Sequence, residues 1–221
     1  MKIWIISDTH GFHNQLNIPQ CDMVIHCGDE SNSFNPYENE LQARNFFEWY
    51  RVLPIKHKVF IPGNHSTAIF NKLIRKEEYP ELIWLEHESA NVEGVNFFGS
   101  PYTPRYGNSC AFMYKRNIGK VYWDAIPDDT QVLITHGPPK TILDLTDDKE
   151  TNNLVQVGCK SLYNRVMEVK PLIHCFGHIH SEKNINNQGI YQKSISETKF
   201  INAACLNHHT MEIYQGHIIY I

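Results

Sequence analysis

Short apolar runs that each end in a polar, chemistry-bearing residue recur along this chain. Lys2 to Ser7 (Lys-Ile-Trp-Ile-Ile-Ser) is apolar and β-branched without alternation, the pattern of a strand buried on both faces. Asp8 and His10 leave it two residues apart, so in extended backbone their side chains project to the same side. Met23 to Cys27 ends in Gly28-Asp29, and Lys58 to Pro62 ends in Gly63-Asn64-His65. Val132 to Thr135 ends in His136-Gly137, and Leu172 to Phe176 runs into Gly177-His178-Ile179-His180.

Between these runs the period changes. Tyr37 to Val52 carries Leu41, Phe46, Phe47, Trp49 and Tyr50 without proline and predicts an amphipathic helix closed by Pro54. Ser66 is placed to cap a second helix, expected from Thr67 to Lys76. Leu162, Val166 and Val169 predict a third, over Cys159 to Val169. Shorter strands are expected at 82–85, 92–98, 200–204, 209–214 and 217–220, and the acidic stretch Asp144 to Glu150 reads as a solvated loop. Asn108 to Pro127 fits a short helix or a compact irregular segment equally well.

A length of 221 residues suits one domain spanning 1–221. Twenty basic and 24 acidic side chains give a net charge of -4, without the basic excess that binding long nucleic acid requires. The six cysteines include no C-x-x-C pair, which points to a reducing compartment. The run Ile3 to Ile6 is too short for a signal segment or a membrane span, so the expectation is a soluble cytoplasmic protein without a membrane partner.

Thirteen histidines change the picture most, because His10, His65, His136, His178 and His180 all fall at strand ends beside Gly, Asp or Asn. Asp8, His10, Asp29, Asn64, His136, His178 and His180 offer more ligand capacity than one ion uses, so two divalent ions are indicated. Carboxylate, amide and imidazole donors without thiolate suit Mn, Fe, Zn or Co. A two-ion site needs a bridging group, and Asp29 is the carboxylate chosen for it. Such a pair lowers the pKa of water to give hydroxide for in-line attack at phosphorus, and His65 is placed to protonate the leaving alkoxide. His13, Tyr102 and Arg105 are further candidates for contact with substrate, Tyr102 and Arg105 on a proline-fixed loop with Tyr106 and Asn108 nearby. His208 and His209 read as solvated.

In this order the motifs Asp8-x-His10, Gly28-Asp29, Gly63-Asn64-His65, His136 and Gly177-His178-x-His180 resemble those of the calcineurin-like metallophosphoesterases, over nearly the whole chain. Val24 to Asp29, Phe97 to Pro101, Leu133 to Pro139 and Phe200 to Ala203 are similar to the metallophosphoesterase-domain subgroup. The resemblance implies an αββα sandwich: an α/β fold of two mixed β-sheets flanked by helices, with a dinuclear metal site at the strand ends. It implies one ion on Asp8, His10, Asp29 and His180, the other on Asp29, Asn64, His136 and His178, and His65 as catalytic acid. It implies phosphodiesterase activity on small nucleotides, cyclic ones included.

Two positions depart from the family pattern. Ser66 follows Gly63-Asn64-His65 where Asp or Glu is usual, which removes a carboxylate that could orient His65. Glu30, directly after Asp29, adds a negative charge or else points away. The alternative activities are phosphomonoesterase chemistry, as in a nucleotidase or protein phosphatase, and a binding or scaffold role on the same fold.

Overall fold

A computed structural model describes residues 1–106, 111–148, 150–151, 153–192 and 197–221. Strands β1 (Lys2–Ile6), β2 (Met23–His26), β3 (His57–Phe60) and β4 (Ile83–Trp84) are joined through helices α1 (Pro36–Arg51) and α2 (Thr67–Phe70). Then come β5 (Glu88–Val92), β6 (Val95–Ser100), the small pair β7 (Thr103–Pro104) and β8 (Met113–Tyr114), helix α3 (Gly119–Trp123) and β9 (Val132–Thr135). The last third holds β10 (Leu145–Asp148), β11 (Asn153–Gln156), α4 (Lys160–Val169), β12 (Ile173–Phe176), β13 (Gly189–Gln192), β14 (Lys199–Asn202) and β15 (His217–Tyr220).

Two mixed sheets result, with strand orders β15-β1-β2-β3-β4 and β13-β14-β12-β9-β6-β5. The inner strands of each run parallel, and antiparallel strands are added at the edges, β15 on β1 in the first, β13 on β14 and β5 on β6 in the second. Alternation along each strand divides the apolar runs between two layers. Ile3, Ile5 and Ile25 meet Val132, Ile134, Ile173 and Ile201 between the sheets. Trp4, Ile6 and Val24 turn the other way, onto Phe46, Phe47 and Tyr50 of α1. Phe98, Leu133 and Phe176 pack on Trp123 of α3 and on Leu162 and Val166 of α4. The order is therefore helix, sheet, sheet, helix, as the resemblance implies.

Helix α1 starts where the Asn35 side chain accepts from the backbone N–H of Tyr37 and Glu38, with Pro36 at its first position. Its buried rings each contribute about 1.5–3 kcal/mol by leaving water. The Tyr50 hydroxyl stays satisfied by donating to the Val59 carbonyl at 2.7 Å.

Four expectations need correction. Helix α2 ends at Phe70, because the chain reverses at Lys72, whose φ of 62° is left-handed, and buries Ile74. Ser66 does not cap it: its hydroxyl accepts from Gly63 N–H and donates to Glu30. The acidic loop is the hairpin β10–β11, tied down by paired hydrogen bonds between Asn187 and the Leu145 backbone. Residues 209–214 form no strand, since Asn207 Oδ1 gathers the N–H groups of His209 and Thr210 into a turn. Asn108 lies outside the described residues, while 113–123 combine a short strand, a 3-10 turn and α3.

Candidate metal centre

The two sheets meet at the carboxyl ends of β1, β2, β9 and β12. Ser7 bridges Ala204, and Leu206 N–H reaches the Asp8 carbonyl, so the first sheet is stitched to the segment after β14 at the site. Asp8, His10, Asp29 and His178 all sit in left-handed backbone, with φ of 52°, 44°, 58° and 68°. Such conformations cost about 1–3 kcal/mol each for residues other than glycine, and they turn these side chains off their strands toward one point.

Glycine permits the convergence. A Cβ on Gly177 would stand 1.9 Å from Asp8 Oδ2, and one on Gly63 would stand 2.2 Å from Asp29 Oδ1. Gly177→Ala is therefore expected to displace the Asp8 carboxylate, costing about 1–3 kcal/mol as an overpacked site does. Denaturant unfolding and metal content should both fall. Unchanged values for both would show that the close approach is dispensable.

The donors form two neighbouring groups. In the first, His180 Nε2 lies 3.1 Å from Asp8 Oδ1 and 3.3 Å from His10 Nε2. In the second, His136 Nε2 lies 2.7 Å from Asn64 Oδ1 and 3.3 Å from Asp29 Oδ2, with a His178 nitrogen within 4.8 Å of Asp29 and His136. Asp29 also comes within 4.8 Å of His10 and His65, so it stands between the groups.

Three imidazoles are fixed from behind. Nδ1 of His10 meets the Ser31 carbonyl at 3.1 Å, that of His136 meets Cys27 at 2.9 Å, and that of His180 meets Leu206 at 2.6 Å. A carbonyl only accepts, so Nδ1 carries the proton and Nε2 is left as the ligand atom. Nε2 and carboxylate atoms gathered at such range, with no thiolate among them, are a donor set that a pair of borderline divalent cations would take up, displacing any proton on Nε2. The residues present fit two such ions.

Electrostatically the donors pair with one another. Burial opposes the Asp8 charge, but the His180 imidazole outweighs it and holds the carboxyl below its ordinary range. Burial likewise opposes charge on Asp29, and His136 with His65 overcomes it. His136 is the counterpart: burial lowers it, yet the Asp29 carboxylate raises it to about 9. Burial pushes His10 and His178 down to about 3, leaving both neutral and ready to ligate.

His65 sits at the mouth. Its backbone N–H donates to Asp29 Oδ1 at 2.7 Å, its Nδ1 donates to the Asn32 carbonyl at 2.7 Å, and Phe34 covers the ring at 4.1 Å. Nε2 is the nitrogen left over. Glu30 is fully buried and accepts from Ser66 Oγ at 2.7 Å and Ser31 Oγ at 2.9 Å.

Two of the three expected substrate contacts, His13 and Tyr102, are not brought to this cleft. His13 is buried, its ring 5.5 Å from Phe46 and 5.1 Å from Trp49, because the turn after His10 lays it on α1. Tyr102 packs on Tyr122 and His87, with ring centroids at 4.6 and 5.4 Å. Arg105 is exposed, with its backbone N–H bound to the Tyr114 carbonyl. Tyr106 takes the place expected for Tyr102: its hydroxyl accepts from Asn64 Nδ2 at 2.9 Å and its ring lies 5.1 Å from His178. His208 also belongs here, stacked on His180 at 4.0 Å. Its place after the family-like phrase Phe200 to Ala203 was the available signal, and sequence alone left it as a solvated loop residue.

Comparison with known proteins shows the family. The family described as calcineurin-like phosphoesterase matches residues 1–182, and the chain belongs to that family. It is 36% identical over 81% of its length to a protein of Emericella nidulans named probable rhamnogalacturonate lyase C. It is 30% identical over 90% of its length to human metallophosphoesterase domain-containing protein 1. The chain spans 17% of the first relative's length and 64% of the second's. A solved crystal structure superposes with a TM-score of 0.64 over 92% of this chain and 90% of its own, at 15% identity, which shows the fold alone. Among the described residues no helix is long and apolar enough to cross a membrane.

Proposed function

We propose that this chain is a dinuclear metal-dependent phosphodiesterase acting on small nucleotide diesters. The observation that carries the reading is the pair of donor groups sharing Asp29, with His65 beside them. Asp8, His10, Asp29 and His180 would hold one divalent ion, and Asp29, Asn64, His136 and His178 the other. Bound there, two ions supply Lewis acidity toward the phosphoryl oxygens and acidify a water for attack.

The chain's own residues supply the rest. Tyr106 fixes the Asn64 amide so that its oxygen faces His136. His65, anchored through Nδ1, presents Nε2 to the leaving oxygen and would donate a proton to it. Diesters are favoured over monoesters because the cleft continues past the donor groups, where a second ester arm finds room.

The test compares kcat/KM for bis-p-nitrophenyl phosphate and p-nitrophenyl phosphate with Mn²⁺. A higher value on the diester supports the reading. A higher value on the monoester moves the assignment to a phosphomonoesterase, and a folded, metal-loaded protein that turns over neither favours a binding role.

A further inference from the structure

The cleft at the donor groups does not end there. Tyr106, Thr146, His178 and Ile179 line it and also line a neighbouring cavity of about 260 Å³. That cavity shares Pro104, Arg116, Gly158 and Cys159 with a third, of about 300 Å³, which Lys140 and Lys160 border. The three together form one trough that leaves the metal centre between the Tyr106 loop and the base of the β10–β11 hairpin.

Its lining changes along the way. Beside the donor groups it is mainly apolar, with Pro104, Tyr106, Pro138, Val157 and Ile179. At the far end stand Arg116, Lys140 and Lys160, and among the described residues no carboxylate lines either of the two outer cavities. None of these cations is in an ion pair among the described residues, whereas Arg44, Lys120 and Arg165 elsewhere on the surface each meet a carboxylate. Arg116 Nη2 donates to the Val157 carbonyl at 3.0 Å, which steadies the guanidinium, and among the described residues no other hydrogen bond engages it. Asp144, the carboxylate beneath this end, is buried and turned onto the N–H groups of Thr141 and Gly158. In a chain of net charge -4, three unmatched cations at one end of a trough leading to the metal centre form a local anion seat.

We propose that the trough selects diesters in which one ester arm is a nucleoside carrying a second, terminal phosphate. The scissile phosphate sits at the donor groups, the nucleoside lies along the apolar stretch beside Tyr106, and the terminal phosphate reaches Arg116, Lys140 and Lys160. This rests on the diesterase reading and narrows its substrate class. A guanidinium and two ammonium groups suit a phosphate dianion through charge-assisted hydrogen bonds.

The experiment uses thymidine 5′-(p-nitrophenyl phosphate) with and without a 3′-phosphate, on the whole chain and on R116A/K140A/K160A, with Mn²⁺. For the unaltered chain the 3′-phosphate is expected to raise kcat/KM at least about tenfold, through KM, and the gain should shrink as salt is added. In the triple variant, shown to be folded by thermal denaturation, the ratio of the two substrates should fall to near one. Equal values for the two esters in the unaltered chain, or the same ratio in the variant, would overturn the trough. If bis-p-nitrophenyl phosphate is still hydrolysed in that case, the diesterase reading stands without it. No turnover of any of the three overturns both.

Discussion

Asp29→Ala is expected to abolish turnover and to strip the protein of both ions. Asp29 closes β2 in a left-handed conformation, is buried, and reaches His136 through Oδ2 at 3.3 Å while standing within 4.8 Å of His10 and His178. Its charge would offset two cations at once, a role no neutral donor nearby can assume. Loss of an outer-shell partner costs about 10- to 100-fold in metal affinity, and loss of the shared carboxylate should cost more. Metal content after dialysis and hydrolysis of bis-p-nitrophenyl phosphate give the two readouts. Because Asp29 Oδ1 also accepts the His65 N–H, Asp29→Asn serves as a second variant that keeps an acceptor while removing the charge. Two ions retained in both variants would exclude Asp29 as the bridge.

His65→Asn should do the opposite to metal content: both ions stay, and kcat falls. A positioned general acid is worth about 10²- to 10⁴-fold. The loss should depend on the leaving group. p-Nitrophenolate departs readily without a proton, so bis-p-nitrophenyl phosphate should be little affected, whereas a dinucleotide, whose leaving group is an alkoxide, should show the full drop. Equal losses on both substrates would mean that His65 acts on binding or on the attacking water. Unchanged turnover of the dinucleotide would remove it from the chemistry.

That these seven side chains and His65 come together at one cleft could be read from sequence because buried parallel strands leave a plain signature. An apolar run with no alternation has to stop somewhere, and the residues just past its end leave the sheet on the same side as those of the neighbouring strands. Asp8, Asp29, Asn64, His136 and His178 each come after such a run. Elements that depend on distant partners were not visible in this way. Strand β10 is half acidic, the hairpin is largely exposed, and Asn187, more than 30 residues beyond it in sequence, holds its base in place. Helix α2 has the composition to continue past Phe70, but burial of Ile74 against the first core layer ends it early.

The residues around the donors illustrate the same limit. His13 is near His10 in sequence, yet a single 3-10 turn puts its ring among Phe46 and Trp49. Tyr102 and Tyr106 share one proline-bounded loop, and only the path of that loop decides that Tyr106 meets Asn64 while Tyr102 packs on Tyr122. The departure at Ser66 looked like the loss of an orienting carboxylate. In the fold the Ser66 hydroxyl links Gly63 N–H to the buried Glu30 carboxyl, and the His65 ring is held instead by the Asn32 carbonyl.

The central claim is that one shared carboxylate organises two ions for hydrolysis of a phosphodiester. The most direct measurement is the titration of metal-stripped protein with Mn²⁺ while hydrolysis of bis-p-nitrophenyl phosphate is monitored. The account predicts no turnover without metal, a rise that levels off at two equivalents per chain, and return to zero with chelator. Full turnover at one equivalent, turnover in the stripped protein, or none from folded protein carrying two ions would contradict it.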